Sequence, residues 1–80
     1  MTVWVIGYRN DRYCQHDIEI YSKEAEAKKV FKEEIKWHKD EREFSYDKDN
    51  NEASWLDGDD FASISMWKQK VRWVYENWNV

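Results

Sequence analysis

The chain has no proline, only two glycines, a single cysteine and no long apolar run. Each scarcity closes off a class of protein. One cysteine, Cys14, excludes an internal disulfide framework and a four-cysteine zinc site, and it fits a reducing compartment. With Gly7 and Gly58 the only glycines, no glycine-rich loop can cradle a phosphate, and no serine elbow is present either. No stretch approaches the roughly 20 apolar residues that a bilayer span needs, and no charged-then-apolar segment opens the chain as a signal would. Basic surplus is missing too: 13 Lys and Arg against 17 Asp and Glu leave a net charge of −4, which argues against a general nucleic-acid binder. Eighty residues make one domain over 1–80, too small for a deep cleft between two lobes, and a chain of this size buries only about 60–65% of its unfolded surface.

Aromatics, by contrast, are abundant at 18%, with Trp4, Trp37, Trp55, Trp67, Trp73 and Trp78 beside five tyrosines and three phenylalanines. A small core fills readily with large rings, but one this small cannot hold six indoles together with its aliphatics. Some therefore belong to the surface, where exposed Trp and Tyr mark the centres of protein interfaces.

Thr2 to Tyr8 reads as a strand, apolar on both faces and so expected inside a sheet. Arg9-Asn10-Asp11-Arg12 is a polar turn, and Gln15 to Tyr21 a second strand with Ile18 and Ile20 expected inward and Asp17 and Glu19 outward. Ser22 is placed to cap a helix from Lys23 to about Lys39, with Glu24 in the first turn, where the helix dipole favours an acid. Its apolar stripe is Ala27, Val30, Phe31 and Ile35, opposite a lysine face of Lys28, Lys32, Lys36 and Lys39. Beyond it, 43–46, 53–56 and 61–67 can form short antiparallel strands, separated by the turn-forming runs 47–51 and 57–60. Residues 61–68 are expected as strand, and 70–78 are open between strand and helix. The fold class expected is α+β, an antiparallel sheet with one helix packed on one face, in ββαββ order.

Chemistry-bearing groupings are sparse. Asp47-x-Asp49-x-Asn51 imitates the start of a calcium loop, but position six is Glu52 rather than glycine and position twelve is Gly58 rather than glutamate, so an ordinary polar turn is expected. Cys14 and His16 are expected on one face of the second strand; zinc would need further ligands that no second cluster supplies. Glu34 and His38, four apart on the helix, could pair as acid and imidazole, but no HExxH motif or third partner accompanies them. No enzyme, metal or cofactor is expected.

Charge is unevenly spread. Residues 40–60 hold Asp40, Glu41, Glu43, Asp47, Asp49, Glu52, Asp57, Asp59 and Asp60 against Arg42 and Lys48, a net of −7 within a chain of −4. One reading is a solvated connector whose charges keep strand edges from pairing with other chains. The other is a negative patch that imitates nucleic-acid phosphates and occupies a partner's basic groove.

The hairpin ending Asp17-Ile18-Glu19-Ile20-Tyr21-Ser22, the Lys/Glu helix from Lys23 to Ile35 and the acid-rich β tail together resemble small bacteriophage-encoded inhibitors of host defence, the anti-CRISPR proteins among them. The resemblance lies in size, element order and composition. It implies a non-enzymatic inhibitor in the host cytoplasm that binds and blocks a bacterial protein or ribonucleoprotein, with no direct nucleic-acid or membrane contact. Asp47, Asp49, Asp57, Asp59 and Asp60 are the expected steering charges, and Trp55, Trp67 and Trp73 the expected apolar anchors. The alternative is a self-associating module, a homodimer in which spare indoles bury one another.

Overall fold

The computed structural model describes residues 1–71. Five strands and one helix follow one another as β1 (Thr2–Asn10), β2 (Gln15–Tyr21), α1 (Glu24–His38), β3 (Arg42–Asp47), β4 (Glu52–Asp57) and β5 (Asp60–Lys70). The strands form one antiparallel sheet in the order β2-β1-β5-β4-β3. The expected ββαββ order is thus corrected to ββαβββ: all three tail segments become strands. The segment left open at 70–78 begins with Lys70, the last residue of β5, and Val71, just past it; its remainder lies outside the described residues.

Each hairpin follows from local chemistry. Asn10 pairs with Gln15 across a loop of one 3₁₀ turn, which is fastened by Arg12 N–H donating to the Asn10 side chain at 3.0 Å. Cys14 closes that loop at φ 51°; it is exposed, precedes β2 rather than belonging to it, and shares no strand face with His16. Asp57 pairs with Asp60 across a two-residue turn whose Gly58 adopts φ 67°, a conformation glycine takes without a Cβ penalty. In the β3–β4 loop the Asp47 carboxylate accepts the backbone N–H groups of Asp49 and Asn50 at 3.1 and 3.3 Å and the Asn50 side chain at 2.7 Å. These bonds draw the Asp47 carboxyl below its usual range, the Asn50 side chain being the largest cause. The carboxylate that would open a calcium loop is committed to the turn itself.

The helix lies across one face of the sheet. Its flanking residue is Lys23, which makes no side-chain capping bond, so the expected Ser22 cap is not formed and Glu24 and Glu26 supply the acidic first turn. Ala27 and Phe31 are buried against Ile6, Ala53, Trp55, Ala62, Ile64 and Met66, Phe31 meeting Tyr46 edge-on at 6.1 Å. Burying a ring of this size is worth about 1.5–3 kcal/mol, a large share of what a domain this small can hold in reserve.

Among the described residues no helix covers the opposite sheet face. Register puts His16, Ile18 and Ile20 of β2, Val5 and Gly7 of β1 and Trp67 of β5 on that side. Ile18 and Ile20 are 66% and 67% exposed, the reverse of the inward orientation expected for them. Asp17 and Glu19 instead turn to the helix side, where Glu19 accepts the hydroxyls of Tyr8 and Tyr21 at 2.8 and 3.0 Å. Among the described residues no helix is long and apolar enough to cross a membrane.

Candidate functional site

The sheet geometry separates the acids that sequence neighbourhood groups together. Asp57, Asp59 and Asp60 stand at the end of the sheet that holds the β1–β2 loop, while Asp47 and Asp49 stand at the other end of β4, on the order of 15–20 Å away by strand rise. Several are also partly neutralised. Asp57 accepts Asn10 at 2.9 Å and Arg12 at 3.1 Å, bonds that draw its carboxyl below the usual range, Asn10 contributing most. Asp59 pairs with Arg42 at 3.3 Å. The five expected steering acids therefore form no single patch.

The expected anchors divide three ways. Trp55 is 7% exposed and belongs to the core, because strand alternation on β4 sends it to the helix side with Ala53. It is corrected from surface anchor to core residue. Trp67 lies on the open face, 40% exposed, and Trp73 lies outside the described residues.

A concavity of about 650 Å³ lies between the C-terminal end of α1 and the β1–β2 hairpin. Five carboxylates from four places in the chain reach its wall: Asp17, Glu19, Glu34, Glu41 and Asp57. Arg9 and the His38 imidazole share it, and Arg9 is already bound to Asp11 at 2.9 Å. Trp55 and Tyr8 add aromatic wall. Burial first, then the bond to Glu19, raises the Tyr8 phenol above its ordinary range. The same two causes raise Tyr21.

His38 closes one side of this cavity. Its ring stacks on Trp55 with centroids 4.0 Å apart and planes 13° from parallel. Nε2 stands 3.5 Å from Glu34 and Nδ1 3.9 Å from Glu41. Nδ1 is buried without a hydrogen-bond partner. Glu34 and His38, noted at helical spacing, thus stand together with Glu41 as the third group near the ring, and Cys14 lies in the β1–β2 loop rather than beside them. Among the described residues no group of three or more His, Cys, Asp or Glu is arranged to hold a metal ion.

Sequence reasoning missed Asp17, Glu19 and Glu41 as members of one electronegative site. They lie on the second strand and past the helix, and only the return of β1 and β2 beneath the end of α1 assembles them. No protein-family model matches the chain, and comparison with the curated proteins and with the solved structures returns no match.

Proposed function

We propose that this protein is a non-enzymatic binding module that docks on a basic region of another protein and blocks it. The observation that carries the reading is the convergence of Asp17, Glu19, Glu34, Glu41 and Asp57 on one aromatic-walled cavity. Carboxylates gathered in a concave, partly desolvated wall focus a negative field and draw lysine and arginine side chains, as nucleic-acid phosphates do. Together with the resemblance to small phage-encoded inhibitors, this favours a bacterial nucleic-acid-handling protein as the target. Asp59 and Asp60 extend the negative field at the same end of the sheet, while Trp67 offers an apolar contact on the open face. Asp47 and Asp49, at the far end, are peripheral to this reading.

The test is capture from bacterial lysate on the tagged chain, washed at low and at high salt. The captured protein is then assayed for nucleic-acid binding with and without the free chain. A salt-released target that loses its nucleic acid to the chain, and escapes a Glu34→Gln/Glu41→Gln variant, supports the reading. Capture indifferent to salt, or a target that holds nucleic acid equally well in the chain's presence, overturns it.

A further inference from the structure

We propose that the outer edge of β2, unpaired among the described residues, is a strand-addition site for an extended segment of the partner protein in which apolar and basic residues alternate. The proposal rests on the reading that the chain acts by binding a basic protein, and it names the element that does so.

The two edges of the sheet are built differently. β3, at one edge, is interrupted: its pairing with β4 shifts register between Arg42 and Ser45, and Glu43 sits there at φ 53°. A bulge of this kind twists an edge away from incoming strands. β2, at the other edge, pairs with β1 without a break from Gln15 to Tyr21. It carries no proline, no lysine and no bulge, so alternate residues turn backbone N–H and C=O groups outward along its whole length. Strand addition to such an edge supplies affinity through main-chain bonds and specificity through the side chains on either face.

Those two faces dictate the occupant. Toward the open side, β2 presents Ile18 and Ile20, both about two-thirds exposed, beside Val5 of the neighbouring strand. An added strand lies roughly 4.8 Å away, so its side chains on that face meet two isoleucines and gain by being apolar. Toward the helix side, β2 presents Asp17 and Glu19, which line the acidic cavity with Glu34 behind them. The alternate side chains of the added strand face carboxylates and gain by being lysine or arginine.

A second copy of this chain fits badly. The antiparallel register that sets each isoleucine of β2 opposite an isoleucine of a second copy also sets Glu19 opposite Glu19. Like charges directly opposite one another destabilise a strand pair.

A short peptide of alternating valine and lysine, titrated into the isotope-labelled full chain, tests the proposal. A peptide of the same composition with its valines and lysines in separate blocks is the control. Amide signals of Gln15–Tyr21 are expected to shift with the alternating peptide alone. Affinity is expected to fall about tenfold or more in Ile18→Lys/Ile20→Lys and in Asp17→Asn/Glu19→Gln, and to be unchanged in Asp47→Asn/Asp49→Asn. The altered isoleucines are exposed, so Ile18→Lys/Ile20→Lys keeps the thermal midpoint of the parent and reports on the surface alone. Equal binding of the block peptide, shifts away from β2, or full affinity in either β2 variant overturns the proposal. So does a dimer in sedimentation that Ile18→Lys/Ile20→Lys dissolves, since the occupant is then a second copy. A lysate target still held by the β2 variants overturns the edge assignment and leaves the binding function standing. Peptide binding at β2 with no salt-released target supports the edge and overturns the function proposed above.

Discussion

The indole of Trp67 lies over Gly7. A Cβ placed on that glycine would stand 2.9 Å from Cζ3 of the ring and 3.0 Å from Cη2, closer than real carbon contacts allow. The missing side chain of the glycine leaves the room that the ring occupies on that face of the sheet. Gly7→Val is therefore expected to lift the indole and to cost about 1 kcal/mol or more in urea unfolding. Made on a Trp67→Ala background, the same change should be neutral or stabilising, because valine is the better strand former. Equal costs on both backgrounds would show that the ring and the glycine are not coupled.

The imidazole of His38 has a buried nitrogen with no partner. Leaving a buried polar atom unpaired costs about 1–3 kcal/mol, whereas replacing it by an apolar group of like shape is close to free. His38→Phe keeps the stack on Trp55 and removes the orphaned atom. It should raise stability by up to about 1 kcal/mol, read from the urea midpoint. A fall of more than about 1 kcal/mol would instead make the contacts to Glu34 and Glu41 the fastening of the helix end.

Acid should loosen the end of the sheet around Asp57. Its carboxyl is lowered on folding by Asn10 and then Arg12, so its contribution is present above the unfolded value of about 4. That contribution is lost as pH falls through the lower folded value. Urea midpoints taken downward from neutral pH should begin to drop near pH ~4, and Asp57→Asn should flatten that limb. An unchanged limb in the variant would move the effect to other carboxyls.

Alkali acts on the opposite side of the same cavity. Burial and Glu19 raise the Tyr8 phenol, so its contribution is complete below the unfolded value of about 10 and is lost only as pH rises through the higher folded value. Ultraviolet titration should show a tyrosine that ionises late, and Tyr8→Phe should remove it. Loss of the late step in Tyr21→Phe alone would reassign it.

How far the sequence could be read depended on whether the deciding contact was local. The helix, its stripe of Ala27 and Phe31, and the two later turns were legible because period, charge and turn residues act within a few positions, whereas β1 runs on to Asn10 and moves the first turn from 9–12 to 11–14. The phase of β2 was not. Alternation separates Ile18 and Ile20 from Asp17 and Glu19 but does not say which pair meets the helix. That is settled by Tyr8 and Tyr21, whose hydroxyls give Glu19 its bonds on the inner side. Trp55 misled for a related reason: its chain neighbours are acidic, yet the pleat turns it away from them into the core with Ala53. The cavity carboxylates come from β2, the helix, the residue run after it and the end of β4, so no spacing rule could have gathered them.

One further property follows from the pairing of β1 with β5. Thr2 stands opposite Lys70, and Val71 N–H donates to the Met1 carbonyl at 2.8 Å, so both strands meet the flanking chain at the same end of the sheet and at its middle. Tension applied through that flanking chain loads the ladder one rung at a time, as a zipper is opened, and never shears all its rungs at once. The fold is mechanically soft along this axis: a molecular motor that grips either end should open the central pair first, at far lower force than a pull along the strands would need.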